Sequence, residues 1–306
     1  MSITNFNPDL WAKSIQSNLN KAHVFAMRMN RKYEGELKAS GESIKINSIG
    51  RITSKSYTRN AGAGNTAASP TIAGIDRPEI LQGSSMWLIP DQLKYINFEI
   101  DNVDHYQQVP DLMGEATREA AYSLADAADL FANSTLQTGV AGTSDGTGNR
   151  LAARTIGTGA GDDDAYETLV DLGVKLSEND VPKSGRWLVI PPWFYGMLQK
   201  DVRFTNYGTS QNRETLANGN IGRAAGFEIY ESNNISGATS GTIAVAGGVY
   251  TLIAGTNDAA TYAETLTETK AFQPHDGFND AVKILHVYGA KVTRPYALAS
   301  VACTAA

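Results

Sequence analysis

The chain has a single cysteine, Cys303, in 306 residues. One thiol closes no intrachain disulfide, so the fold must rest on packing, and the length is ample for a real core. Long hydrophobic runs are also missing. The longest nearly apolar run, Thr242 to Gly255, is too short and too rich in glycine to span a bilayer. Met1 to Asp9 shows no basic region followed by an apolar one, so it does not read as a secretory leader. These absences lead to the expectation of a soluble chain that works in the cytoplasm. Basic charge is scarce too. The 26 Lys and Arg stand against 32 Asp and Glu, a net charge of -6, which argues against gripping nucleic acid through a broad basic face.

Catalytic constellations are equally thin. The four histidines, His23, His105, His275 and His286, lie far apart with no ligand spacing. His286 alternates within a strand pattern and reads as a core or interface residue. Gly142-Thr-Ser-Asp-Gly146 matches the elbow that presents a nucleophilic serine in hydrolases. That elbow needs an apolar strand before it and a helix after it, and here both flanks read as loop. Nothing marks His275 or His286 as a base for Ser144. Gly62-Ala-Gly-Asn-Thr-Ala67 matches a relaxed dinucleotide fingerprint, but no buried strand precedes it and no helix pattern follows. Asp101, Asp104 and His105 read as a solvated strand end. Asp162, Asp163 and Asp164 lack the interspersed pattern of a calcium loop and read as a helix cap. No catalytic, cofactor-binding or metal-binding residue is expected, and no cofactor. Cys303, in an Ala/Thr tail, reads as inert.

What the sequence does have is a string of short, well-marked elements. Leu10, Trp11, Ile15, Leu19, His23, Ala26 and Met27 recur at helical spacing and predict an amphipathic helix over residues 8–33, ending before Gly35. Ile44, Ile46, Ile49 and Ile52 predict a strand interrupted at Gly50. Thr53 to Gly74 is polar and small and cannot build a core alone. Strand signals resume at Met86–Ile89 and Tyr95–Ile100. The pattern suggests two strands reaching out to a polar tip and returning. Such an arm is marginal in water without a partner surface.

Asp111 to Leu136 predicts a helix, roughly 39 Å long, with Leu112, Ala116, Ala120, Leu124, Ala127 and Phe131 on one face. Gly139 to Gly161 reads as a loop. Residues 163–178 predict a second helix, with Leu169, Leu172 and Leu176 on its buried side. Trp187–Ile190 is a continuous apolar run, as in a central strand. Pro191-Pro192 opens a short helix to Lys200. Phe227–Tyr230, Ile243–Val245, Val249–Ala254, Ala281–Val287 and Ala290–Val301 predict further strands, the last two broken at Gly289.

Three pieces carry a resemblance by their order and spacing. They are Val181-Pro182 leading into Arg186–Pro192, Ile221-Gly222 leading into Gly226–Asn234, and Tyr288-Gly-Ala-Lys-Val-Thr-Arg-Pro295. In this order the chain resembles the major capsid protein of tailed bacteriophages, whose fold is shared with herpesvirus floor domains and bacterial encapsulins. The resemblance implies an α+β fold in four parts. These are an N-terminal arm at 1–42, an extended loop at 43–100, a peripheral spine-helix domain at 101–159 and 271–306, and an axial domain at 160–270. It implies a shell subunit that forms hexamers and pentamers and encloses phage double-stranded DNA without reading its sequence, as part of the virion. It also implies a scaffolding protein during assembly, and portal and decoration proteins as partners. No membrane is involved. Lys55, Arg59, Arg77 and Trp11 are the expected assembly contacts. Two alternatives stand beside this: an encapsulin-like compartment around a cargo enzyme, and a serine hydrolase using Ser144.

Overall fold

The computed structural model describes residues 23–35, 43–49, 52, 54, 80, 83–101, 112–142, 148–157, 159, 161–201, 222–235, 248–275 and 279–305. They form three sheets and three α-helices. A two-stranded sheet pairs β1 (Ile44–Ile49) with β2 (Gly83–Leu88). A three-stranded sheet runs in the order β3 (Gln92–Asp101), β10 (Asn279–Val292), β9 (Ala260–Phe272). A six-stranded sheet has the order β4-β11-β8-β5-β7-β6. Its strands are β4 (Arg150–Ile156), β5 (Arg186–Ile190), β6 (Arg223–Ala224), β7 (Phe227–Glu231), β8 (Tyr250–Thr256) and β11 (Leu298–Ala305). The helices are α1 (Leu112–Gly139), α2 (Ala165–Glu178) and α3 (Pro192–Lys200).

The six-stranded sheet holds the main core. All five residues of β5 are buried, because the strand lies inside the sheet between β8 and β7. Leu169, Leu172 and Leu176 of α2 and Phe194 and Leu198 of α3 join this core. Each large aliphatic or aromatic side chain so buried contributes about 1.5–3 kcal/mol. Asp164 caps α2, its side chain accepting a hydrogen bond from the Tyr166 amide. Asp162 accepts from the Gly159 amide, so the aspartates do cap this turn and helix. Arg186 is charged and yet buried in β5. Its guanidinium donates to the carbonyls of Pro182, Gly173 and Val181 and to the Ser177 hydroxyl. Gly173 and Ser177 belong to the last turns of α2, so the arginine closes that helix end.

One face of the three-stranded sheet is covered by the N-terminal half of α1. Ala120 and Leu124 pack there on Val282, Ile284, Ile96 and Phe98. Further along α1, Ala128, Ala132 and Leu136 enter the main core. The buried stripe thus advances by four residues, 120, 124, 128, 132 and 136, where the sequence pattern had placed Ala127 and Phe131. The β1–β2 pair packs Ile44, Ile46 and Leu88 against Ala263 of β9, with Tyr33 and Met86 at the margin. β3 pairs with β10 and not with the β1–β2 arm.

Three expectations are corrected. The predicted helix over 8–33 does not extend through its described part. Residues 26–28 form a single 3-10 turn, and Asn30 then bridges Thr261 in parallel. Met27, assigned to the buried face, is 69% exposed, while Val24 and Phe25 enter the core. The expected loop over 139–161 contains a seven-residue strand, β4, held by parallel pairing with β11. The expected break at Gly289 is absent. β10 runs through it with a register shift between Val287 and Tyr288, and the chain turns instead at Pro295–Ala297. Gly289 is there for space. A Cβ at that position would lie 2.4 Å from the Ile89 carbonyl oxygen and 2.7 Å from Pro90 Cα. The stretches 8–22, 53, 55–79 and 243–245 lie outside the described residues.

Candidate assembly surfaces

The three-stranded sheet has a second face. In β3 the residues alternate: Ile96 and Phe98 turn to α1, while Leu93, Tyr95, Asn97 and Glu99 turn outward and are exposed. Register places Leu93 opposite Val287, Tyr95 opposite Leu285 and Asn97 opposite Lys283. One step on, Leu285 lies opposite Glu268 and Lys283 opposite Lys270. The β1–β2 pair packs on one end of this face, at Ala263 and Gly289. Tyr95 is 77% and Leu93 65% exposed, high values for large apolar side chains. Lys283 Nζ lies 4.8 Å from the Phe272 ring centre, and Lys270 pairs with Glu268 at 2.6 Å. A shallow hollow of about 440 Å³, lined by Tyr95, Asn97, Lys270, Lys283 and Leu285 among others, marks this face.

The exposed apolar series continues backwards along the chain. Ile89 and Trp87 are each more than half exposed, with Lys45 Nζ 5.8 Å from the Trp87 ring centre. Ile52 and Ile80 are more exposed still. An apolar series of this length at a sheet face and along an arm is the chemistry of a protein contact, with lysines at its margin.

The titratable groups inside the molecule serve structure. His286 is buried, its ring centre 4.8 Å from that of Tyr288 and its Nε2 3.9 Å from Glu264. Burial holds its imidazole below the usual range, Glu264 pulling the other way. Burial also pushes the Tyr262 and Tyr288 hydroxyls above the usual phenol range. The Cys303 thiol, fully buried in β11, is pushed up to about 12 by burial, which makes it a poor nucleophile. Asp126 and Asp129 of α1 both accept from the Asn234 side-chain amide, at 3.0 and 2.8 Å. Among the described residues no group of three or more His, Cys, Asp or Glu could hold a metal ion. No helix among them is long and apolar enough to cross a membrane.

The four assembly contacts expected from the sequence, Trp11, Lys55, Arg59 and Arg77, lie outside the described residues, as do Ser144, Asp104 and His105. His275 is exposed just beyond the end of β9, while His286 is buried within β10. The surface that the sequence reading missed is the outward face of β3. Its signal was available in the alternation of Leu93, Tyr95 and Asn97 with Ile96 and Phe98, a strand apolar on both faces at one end.

Residues 97–301 match the family model described as phage capsid protein. The whole chain is similar to a solved structure from Mycobacterium phage Che8, with 27% identity, 98% of each chain covered and a TM-score of 0.73. It is also similar in fold to the capsid structure of cyanophage P-SCSP1u, with 16% identity, 97% of this chain and 92% of that chain covered, and a TM-score of 0.68. The asymmetric unit of the bacteriophage PhiM1 mature capsid matches with 15% identity, the same coverage and a TM-score of 0.66. No curated protein matches the chain.

Proposed function

Because the chain belongs to the phage capsid protein family, a structural subunit and not an enzyme, we propose that its copies close into hexamers and pentamers of an icosahedral shell around double-stranded DNA. The observation that supports this is the outward face of the three-stranded sheet, where Leu93 and Tyr95 stand uncovered in one copy. A neighbouring copy covers that face, and the contact is repeated around each ring, so a modest interface closes a large particle. The net charge of -6 suits a container that does not grip its contents.

The proposed division of labour has an N-terminal arm at 1–42 and an extended loop at 43–100. The peripheral domain is 101–159 with 271–306, and the axial domain is 160–270. Trp11 docks the arm on a neighbour or on a scaffolding protein. Lys55, Arg59 and Arg77 fasten the loop to acidic groups next door. Ile72 is the only large aliphatic residue in the sequence between Thr53 and Gly74, too little to offset an ordering cost of about 1–2 kcal/mol per residue. Assembly takes place in the host cytoplasm with a scaffold, and portal and decoration proteins complete the virion.

The test is expression with the scaffolding gene of the same phage, followed by sedimentation and electron microscopy. Megadalton particles are expected. A folded product that stays monomeric under those conditions overturns the reading. Trypsin tests the loop: cleavage at Lys55, Arg59 and Arg77 should be fast in free subunits and slow in particles. Equal rates would show that the loop covers no neighbour.

A further inference from the structure

Two short connections join the three-stranded sheet to the six-stranded one, and they lie side by side. Asn257–Ala259 links β8 to β9, and Pro295–Ala297 lies between β10 and β11. The Ala259 carbonyl accepts from the Thr293 and Arg294 amides, both at 2.9 Å, and from the Thr293 hydroxyl at 3.1 Å. Two adjacent three-residue turns, tied at one carbonyl, have the form of a hinge between two sheet bodies. Helix α1 crosses both bodies and presents the small residues Ala128 and Ala132 to the main core.

Residues 23–34 run across this hinge and are fastened on every side of it. On the spine helix, the Ala26 amide donates to Asp129 at 3.1 Å, and His23 lies 3.6 Å from Asp126. On the six-stranded sheet, Arg28 donates to the Tyr230 hydroxyl at 2.9 Å and stacks over its ring at 4.3 Å. On the three-stranded sheet, the Asn30 amide donates to the Ala260 carbonyl at 2.9 Å, and the Tyr262 amide donates to the Asn30 carbonyl at 3.0 Å. Arg31 pairs with Glu264 at 2.6 Å, its guanidinium 5.1 Å from the Tyr262 ring centre. Lys32 reaches Asp258 in the hinge turn itself, at 3.8 Å. Phe25, fully buried in the main core, pins the segment at its centre.

A docked segment that only covered the surface would need one of these attachments. This one grips both bodies with short, directional bonds and reaches the turn between them through the longer, exposed Lys32–Asp258 pair. We propose that residues 23–34 act as a brake on a hinge between the three-stranded and six-stranded sheets, so that loosening this strap frees the two bodies to change their relative angle. The use of the hinge rests on the shell reading, since ring positions of different curvature demand different bends from one sequence. The hinge itself does not rest on it, and the test is made on the free subunit.

Spin labels at Asn97→Cys on β3 and Ser184→Cys before β5 report the angle, both positions being exposed. Cys303 is buried and stays unlabelled. The strap is weakened by Arg28→Gln with Arg31→Gln, and then by adding Asp129→Asn. Opening is followed by hydrogen exchange of the Asn30 and Tyr262 amides. In the variant where exchange accelerates about tenfold or more, the label distance distribution should broaden or gain a second distance. An unchanged distribution in that variant overturns the proposal. Failure of both variants to accelerate exchange also overturns it, since the strap would then not be held by these contacts. A failure of shell formation alone, with the distance change present, counts against the shell reading and leaves the hinge standing.

Discussion

β5 and β3 both carry large apolar side chains, and these meet opposite fates. In β5, Arg186 to Ile190 are buried on both faces, because α2, α3 and the neighbouring strands complete the enclosure within one chain. In β3, Ile96 and Phe98 find α1, while Leu93 and Tyr95 on the other face stand mostly exposed among the described residues. The difference separates what the chain finishes by itself from what it leaves for another molecule. The core around the six-stranded sheet is closed by residues of this chain, among them Tyr262 and Tyr288 of the three-stranded sheet. The outward face of the three-stranded sheet and the exposed series through Trp87 and Ile89 are the surfaces that the shell proposal assigns to a neighbouring copy.

The comparison can be broken first at its strong side. Leu188→Ala in β5 removes a fully buried side chain from the centre of the core, and a loss of about 2–5 kcal/mol is expected in denaturant unfolding of the free subunit. A loss below 0.5 kcal/mol or so would show a core far more tolerant than this burial allows. Next come the close approaches that join the two regions. Gly289→Ala sets a Cβ against the backbone of Ile89 and Pro90, which cannot swing aside as a side chain can. Ala120→Leu overpacks the contact of α1 with Val282 and Ile284. Each is expected to cost about 1–3 kcal/mol. An unchanged melting temperature for Ala120→Leu would put Ala120 against solvent and displace the stripe on α1. Asp164→Ala removes the cap of α2 and should cost about 1 kcal/mol, seen as a modest drop in melting temperature.

The smallest expected effect concerns pH. Burial holds His286 below its ordinary value, so the unfolded chain takes up a proton there before the folded one does. The sign follows: stability is retained above the ordinary histidine value near 6.5 and declines as pH falls below it, through the depressed folded value. His286→Asn should flatten that part of the profile. A variant whose stability falls with pH as steeply as the parent would remove His286 as a contributor.

Much of the core around the six-stranded sheet was legible in the sequence, because burial on both faces leaves a continuous apolar run and helical burial leaves a stripe. Trp187–Ile190, Leu169/Leu172/Leu176 and the Ala-rich α1 are such cases. The misreadings have physical causes. β4 carries Arg150 and Arg154 in a seven-residue strand and owes its extended form to pairing with β11, a partner about 150 residues away. Gly289 looked like a stop, but it makes room for the backbone of residues 89–90, a contact that no local pattern reports. The 23–34 segment has apolar residues at helical spacing, and tertiary bonds to Asp129, Tyr230 and β9 override that propensity. Arg186 is buried beside the apolar run Trp187–Ile190 because the carbonyls of Gly173 in α2 and of Val181 just after it accept from its guanidinium, partners that no local pattern reports.

The claim that β3 presents half of an interface is tested most directly by Leu93→Asp with Tyr95→Asp, examined both as free subunit and during assembly. Both side chains are mostly exposed in one copy, so the free double variant should melt within a few degrees of the parent. Expressed with the scaffold, it should yield no shells, because two carboxylates would be buried without partners at every repeat of the contact. Normal shells built from that variant would contradict the account.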